Sequence, residues 1–548
     1  MFEWKKNSGW ILVLFFIGLI VFSFNLGNPL FWDDDDWIVN NSFVHSLSGQ
    51  NIKSIFTTDI LHGFGLNSNY YRPLLLLSFA FNWVLHGSSP IGYHLISNLF
   101  HIANAILVFS ISYLVFRRQR PAFIAALIWL VHPLNVEAVA YISGRGDPMS
   151  VFFILGGLTL FAGGKRWWAV LSMVLAVLSR ETAILFPALA MILYISFVAK
   201  DKFWPAFKQS VWQTLPYWGV SVIYMILRLT VLNFQNTLNF YAQSNVYTEH
   251  LSYRLYTFGH ALVEYFKLIF VPLGLHMERE LSVNTSLFQW PVWLGFLMIL
   301  LIVAVGVILY KKAIGHSSLK ISHYRIWLFG FGWFFIAMSP VSGIIPINAI
   351  MYEHWLYLPL IGLFVLVGYY LDILLTYAGP RAYIYRLVLV VAVGYVAFFS
   401  VASANRNLAW GNIIGFYEDI LKYNPDTIRI INNLGNAYAS KGDLPKAAGM
   451  YERAIQLPDG QEFAQPFYNL ANTYRDQGKP EEAARMYIKA IEVDPKFPFA
   501  YKNLAVLYAK FGFFAESIRV LQELKKIVPN DPVIDEAIRR LEEDAKNN

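Results

Sequence analysis

The sequence predicts an all-α protein in two parts, a polytopic membrane block of about 11 transmembrane helices and a C-terminal helical repeat array. Composition predicts the first part. Of 548 residues, 56% are apolar and only 14% charged, far greasier than an ordinary soluble domain. Charge placement predicts the division. Residues 418–548 carry 18 basic and 20 acidic side chains, whereas the first 417 positions hold 25 basic and 16 acidic ones. The apolar block therefore carries +9 and the soluble-looking tail −2. The domains are placed at 1–405 and 406–548.

About 20 apolar helical residues cross a bilayer core. Runs near 9–27, 93–116, 121–136, 148–163, 167–179, 181–198, 211–232, 291–310, 325–341, 355–375 and 387–404 are the expected spans. The first is too long, and too poor in small residues at a cleavage position, for a removable signal peptide. Residues 73–87 and 258–275, the latter holding Glu264 and Lys267, read as interfacial or re-entrant segments. Lys and Arg resist translocation. Sixteen of the 25 basic residues, including Lys5, Arg118, Arg120, Lys200, Lys202, Lys311, Lys320 and Arg381, fall in alternate loops, which become cytoplasmic; thirteen of the 16 acidic ones fall on the other side. The N-terminus is then cytoplasmic, and an odd number of spans puts the repeats outside. Absent cysteines and compact loops favour a bacterial plasma membrane with a periplasmic tail; in a eukaryote the same topology gives an ER membrane and a luminal tail. Basic residues confined to short loops argue against nucleic acid as a partner. Zero cysteines exclude disulfides, zinc–thiolate sites and thiol catalysis.

The tail repeats. Leu434, Gly435, Tyr438, Gly442, Ala447 and Tyr451 recur as Leu470, Ala471, Tyr474, Gly478, Ala483 and Tyr487, then as Leu504, Ala505, Tyr508, Gly512, Ser517 and Leu521. The interval from Leu470 to Leu504 is 34 residues, and the preceding one is 36, with the extra pair placed between Pro458 and Gln465. A 34-residue period closed by Pro458, Pro495 and Pro529 resembles the tetratricopeptide repeat, a helix–turn–helix in which small residues allow close crossing. Asp531 to Glu543 reads as a polar capping helix. Such a stack offers a face to a protein or peptide and names no chemistry.

Chemistry is concentrated in Phe31-Trp32-Asp33-Asp34-Asp35-Asp36-Trp37-Ile38, just beyond the first span. Four adjacent carboxylates repel one another, so some should hold protons unusually tightly. A carboxylate poised near neutral pH suits a general base for a hydroxyl nucleophile. A solvated acidic loop, or a loose divalent-cation site, is the plainer alternative. Other polar residues sit at outer ends of spans: Tyr71-Arg72-Pro73-Leu74, His101, His132-Pro133 with Glu137, Ser143-Gly144-Arg145-Gly146-Asp147, Arg180-Glu181, Arg228 and Glu353-His354. His101 reads as a helix–helix hydrogen-bonding residue, and Asp147 and Glu181 as ion-pair partners of the neighbouring Arg145 and Arg180. An acidic cluster with several arginines suits reaction between a hydroxyl and a lipid-linked phosphate, because arginine binds phosphate in two-pronged fashion. No P-loop, HExxH or GxSxG element is present. The absence of a nucleotide cradle favours a donor dissolved in the membrane.

Phe31 to Asn41, Tyr71-Arg72-Pro73-Leu74, Gly92-Tyr93-His94, His132-Pro133 with Glu137-Ala138-Val139, Gly144-Arg145, Tyr357-Leu358-Pro359 and Arg406-Asn407 leading into repeats together resemble the transmembrane and tetratricopeptide-repeat-containing O-mannosyltransferases. The resemblance implies a GT-C glycosyltransferase module that moves one sugar, mannose by analogy, from a polyprenyl-phosphate donor to Ser or Thr hydroxyls of proteins, with inversion. It makes Asp33 the catalytic base and Asp34 its partner. Arg72, Arg145 and His354 become donor-phosphate contacts. Asp35, Asp36, His132, Glu137 and Glu353 become acceptor-site or supporting residues. No metal or cofactor is expected; the partners are the lipid-linked donor, membrane lipids and an acceptor protein held by the repeats. Asp35 and Asp36 extend the family's acidic pair to four, and His354 stands where the family often has Arg, which makes that contact pH-dependent. Two rivals are the same fold acting on a lipid or envelope glycan, and a non-catalytic membrane scaffold.

Overall fold

The computed structural model describes residues 5–198, 203–232, 245–314, 323–347, 349–378, 382–529 and 531–547. Lys200, Lys202, Lys320 and Arg381 of the charge count lie outside them. The chain forms two compact units, Met1–Gly411 and Asn412–Asn548. The expected boundary at 405/406 falls inside the last helix of the first. Among the described residues all regular structure is helical.

The first unit comprises α1 (Ser8–Phe22), α2 (Gly49–Thr57), α3 (Pro73–His86), α4 (Pro90–Phe116), α5 (Gln119–Val131), α6 (Val136–Ala140), α7 (Gly146–Ala162), α8 (Arg166–Ser179), α9 (Phe186–Leu193), α10 (Phe203–Leu229), α11 (Val246–Glu249), α12 (Leu251–Phe270), α13 (Trp290–Ile314), α14 (His323–Met338), α15 (Pro359–Ala378) and α16 (Ala382–Ala409). Among the described residues, six stretches are long and apolar enough to cross a membrane: Lys5–Asn25, Pro90–Phe116, Glu181–Val198, Trp290–Ala313, Pro359–Tyr377 and Ala382–Ala409. A seventh is Gln119–Val131 with Pro133–Ala140, if this pair, bent by 56°, is one span. Pro133 breaks it by removing a backbone donor. The other expected spans form α7, α8 and α14, of 17, 14 and 16 residues, and α10, which is long but holds Pro216 and Arg228. Seventeen residues rise only about 26 Å, short of a core of about 30 Å. By length and composition the count is therefore six or seven rather than eleven. α3 is a shorter apolar helix, and α12 carries Arg254, Glu264 and Lys267. Both were expected as interfacial or re-entrant segments.

Helix α4 packs against α1, α5 and α7. Its polar residues tie helix to helix, as they must where no water is present. His101 sits 2.8 Å from the Tyr357 hydroxyl and 3.0 Å from the Leu130 carbonyl, which is the helix–helix role expected of it. Close crossing needs glycine where α14 meets α15: a Cβ on Gly362 would lie 2.4 Å from the Gly330 carbonyl oxygen. At the far end of α1, Asn25 donates to Asn98, Asn98 to the Phe22 carbonyl and Asn28 to the Asn407 carbonyl. This buried amide network anchors the chain immediately before the acidic loop.

In the second unit, α17 (Ile413–Tyr423) precedes the pairs α18 (Ile428–Ser440) and α19 (Leu444–Gln456), α20 (Ala464–Asp476) and α21 (Pro480–Val493), and α22 (Pro498–Lys510) and α23 (Phe514–Ile527); α24 (Pro532–Asn547) follows. Gly442, Gly478 and Gly512 each adopt φ between 75° and 80°, the left-handed conformation that lets the chain reverse between paired helices. The longer first interval is taken up by a 3-10 turn at Gly460–Glu462. Ala471, Ala483, Tyr487 and Leu504 form one interlocking core. Ile534 of α24 joins Tyr501, Leu521 and Leu524 in another, covering the last pair as a capping helix does.

Candidate active site

Trp32 enters the acidic loop at φ 65°, a conformation costing a bulky residue roughly 1–3 kcal/mol and kept only where surrounding contacts impose it. One π-type turn over Asp35–Val39 follows, a local form frequent at functional sites. The four carboxylates separate by environment. Asp34 is 2% exposed, Asp33 and Asp36 are half-buried and Asp35 is exposed. One Asp34 oxygen accepts from the Ser143 backbone N–H at 2.8 Å and its hydroxyl at 2.5 Å; the other accepts from Phe31 N–H at 3.3 Å. Burial pushes Asp34 up to about 7, although the bonds from Ser143 and Phe31 favour the anion. Burial also pushes Asp36 up to about 6, helped by Asp33 and Asp35. The expectation that crowded carboxylates hold protons tightly is met, with burial rather than repulsion as the larger cause.

Beside this loop lies a cluster of ion pairs. Arg72 Nε donates to Glu181 at 3.0 Å, Tyr71 N–H donates to the same carboxylate at 3.3 Å, and the guanidinium sits 4.6 Å over the Tyr70 ring. Arg180 pairs with Asp147. Tyr70 feels the charges of Arg72, Glu181, Arg180 and Asp33, so the acidic loop and the arginines share one electrostatic environment. The pairing is crossed relative to expectation. Asp147 and Glu181 pair with Arg180 and Arg72, not Arg145 and Arg180, because side chains one or two positions apart point away from one another.

Not every expected residue joins this cluster. Arg145 is fully buried, with N–H groups donating to the Ser97 and Ser78 hydroxyls, the Asn82 side chain and the Tyr93 carbonyl at 2.8–3.1 Å. Its guanidinium lies 4.8 Å over the Phe79 ring. It fastens α3 and α4 to the turn carrying Ser143, and so supports Asp34 from behind. His132 occupies the break after α5, where one ring nitrogen meets the Ile269 carbonyl at 3.0 Å and the other accepts from Leu134 N–H. Glu353 is a buried tie, accepting from Arg279, Arg406 and His276 N–H. His354 lies 2.5 Å from Glu137 through Nδ1 and stacks on Tyr352. Burial is the main cause holding its imidazole below the usual range, with Arg180 and Arg72 adding to it. Among the described residues no three His, Asp or Glu side chains gather as metal ligands would.

Sequence reading missed Ser143 as the anchor of Asp34, and Arg180 and Asp147 as neighbours of Arg72. The one available signal was the polar, small-residue run Ser143 to Asp147 between apolar stretches. Two triplets, Asn40-Asn41-Ser42 and Asn284-Thr285-Ser286, match N-glycosylation acceptors; Asn40 is exposed, whereas Asn284 is buried and sits 3.0 Å from the His260 ring.

Comparisons with known proteins agree with this architecture. Tetratricopeptide repeat family models match residues 427–457 and 464–497. Protein O-mannosyl-transferase F38B6.6 of Caenorhabditis elegans is 24% identical over 82% of this chain and 63% of its own length. Protein O-mannosyl-transferase TMTC3 of Mus musculus is 23% identical over 78% of this chain and 49% of its own. The chain thus spans 49% to 63% of the length of these relatives. A crystal structure of ArnT from Cupriavidus metallidurans bound to undecaprenyl phosphate aligns over 90% of this chain and 80% of that one, at 14% identity and a TM-score of 0.38. Over about four fifths of its length the chain is similar to protein O-mannosyl-transferases; its described residues form helices, several long and apolar enough to cross a membrane, and a tetratricopeptide-repeat region.

Proposed function

We propose that the chain is a GT-C glycosyltransferase that moves a single sugar, mannose in the first instance, from a polyprenyl phosphate to Ser or Thr hydroxyls of proteins on the outer face of its membrane. The observation that carries this reading is the acidic loop beside the Arg72–Glu181 and Arg180–Asp147 pairs, in a homologue of O-mannosyl-transferases. Asp33 takes the proton from the acceptor hydroxyl. The oxygen attacks the anomeric carbon, the bond from that carbon to the phosphate oxygen breaks, and its electron pair leaves on the polyprenyl phosphate, inverting the centre. Asp34 is the weaker candidate for base, since Ser143 and Phe31 occupy its oxygens; it holds the loop in place. Arginines meet the charge that develops on the leaving phosphate, the kind of stabilisation that contributes most to such reactions. His354 and Glu137 line the same polar region, and Asp36 borders the acceptor side. No metal takes part in this scheme. The repeats hold the acceptor, which requires them on the outer side with the N-terminus cytoplasmic.

The test is transfer of labelled sugar from polyprenyl-phosphate mannose and polyprenyl-phosphate glucose to endogenous proteins, in membranes holding the wild type or Asp33→Asn with Asp34→Asn. Transfer lost in the double variant supports both enzyme class and donor. A well-folded wild type that transfers neither sugar sinks this donor assignment and favours the scaffold.

A further inference from the structure

Helix α10 buries a single stripe: Ala206, Ser210, Thr214, Tyr217, Ser221, Tyr224 and Arg228. Its other positions face outward, as the exposed Val222, Ile223 and Ile226 show. The stripe faces the segment that begins at Glu181. The Ser221 hydroxyl donates to the Ile184 carbonyl at 3.2 Å, and the Tyr217 ring packs 5.1 Å from Phe186. Continuing along α10 by one and two turns brings Tyr224 and Arg228 to the Glu181 end. Tyr224 there feels the charges of Glu181, Arg228 and Arg72.

These two residues are unlike every other member of the stripe. Tyr224 is 7% exposed and Arg228 6%, yet the Tyr224 hydroxyl and Arg228 Nη1 have no hydrogen-bond partner among the described residues. A buried donor without an acceptor is costly, more so when charged. Two such donors one helical turn apart amount to a site built for something that accepts hydrogen bonds. The charge balance says what kind. Glu181 and Asp147 are already paired with Arg72 and Arg180, so Arg228, whose charge Glu181 feels, adds a positive charge that makes no ion pair with either carboxylate among the described residues. An anion with several acceptor oxygens, a phosphate ester above all, supplies both missing partners at once.

We propose that Tyr224 and Arg228 form an oxyanion site on α10, taking the phosphate of a lipid-linked ester at the Glu181 end of the ion-pair cluster. This rests on reading that cluster as the donor site. One consequence goes beyond that reading. A polyprenyl-phosphate sugar is a phosphodiester with one negative charge, whereas the polyprenyl phosphate left after transfer is a monoester carrying up to two. A cationic site so placed favours the dianionic product over the monoanionic donor.

The test uses the full-length protein in nanodiscs and measures saturable binding of polyprenyl phosphate, polyprenol and inorganic phosphate, together with melting without ligand. Arg228→Met is expected to weaken polyprenyl phosphate binding about 10- to 100-fold and Tyr224→Phe about three- to tenfold, with polyprenol binding unchanged. Because the Tyr224 hydroxyl and Arg228 Nη1 bond nothing among the described residues, neither variant should melt below the wild type. Tyr224→Phe, which removes one oxygen, decides the matter if Arg228→Met does not fold. Unchanged affinity in both variants overturns the proposal, as does absence of phosphate binding by the wild type, or a lower melting temperature for folded Arg228→Met, which makes Arg228 a structural cation. Inorganic phosphate binding as tightly as polyprenyl phosphate, with the same sensitivity to both variants, keeps the oxyanion site but overturns the lipid as its source. Binding that behaves as expected in a protein that transfers no sugar leaves this site standing and removes the transferase reading.

Discussion

In the repeat unit Tyr451 donates to Asn436 and Tyr487 to Asn472, each pair 15 residues apart along the chain. In the membrane unit Asp34 meets Ser143, and Arg72 meets Glu181, each across 109 residues. Repeats therefore need only their neighbours, and their contacts form from local helix pairs that stack one on the next. The polar cluster needs the chain after α1, the start of α3, the turn before α7 and the end of α8 to arrive together. Its residues are also buried, so an error in any one strands the charge of another. The repeat unit should absorb substitutions locally, and the cluster should transmit them.

The largest expected effect breaks chemistry without breaking the fold. Asp33→Asn should lower sugar transfer by about 10²–10⁴, while circular dichroism and melting stay at wild-type values; retained transfer would dismiss Asp33 as the base. Next comes Arg72→Met, which leaves Glu181 uncompensated and should cost about 3 kcal/mol, read from melting in nanodiscs. Combining it with Glu181→Met should restore most of that loss without restoring transfer. A silent single variant would show that the crossed pairs are not coupled. A pH-dependent effect follows from Asp34. Its folded-state value near 7 stands above the ordinary 3.8, so the folded protein holds a proton that the unfolded chain has lost. That contribution is present below about pH 4 and is lost as pH rises towards 7. Wild-type stability relative to Asp34→Asn should therefore fall over that window and level off above it, and a flat difference would contradict the burial argument. The smallest effect is Tyr487→Phe, which removes one hydrogen bond and should cost about 1 kcal/mol in the repeat unit alone, with the pH profile unchanged.

Much of the fold was legible because it is written in local periods. Apolar runs marked α1, α4, α13, α15 and α16, and the 34-residue period marked every paired helix of the tail, down to the turn at Gly460–Glu462 that absorbs two extra residues. Span counting went wrong because runs well short of the roughly 20 residues a bilayer needs were counted as spans, such as 167–179, which becomes α8 with 14 residues, beside α4 with 27. Of the candidate site, the acidic loop and Arg72 stood out as charges beside apolar runs. Arg145 stood out for the same reason and turned out to be a buried fastener, because its serines, Asn82 and the Tyr93 carbonyl lie on α3 and α4, where no local pattern marks them.

The sequence by itself determined an all-helical chain, a membrane block with charges at helix ends, and a repeat array, because helix formation, bilayer length and stacking period depend on residues near one another. Only the tertiary structure decided which carboxylate meets which arginine, that Asp34 is buried against Ser143, and that the Tyr224 hydroxyl and Arg228 Nη1 are buried with no hydrogen-bond partner among the described residues. Those outcomes depend on how distant helices pack and exclude water, and burial changes the energy of a charge far more than any neighbour in sequence does.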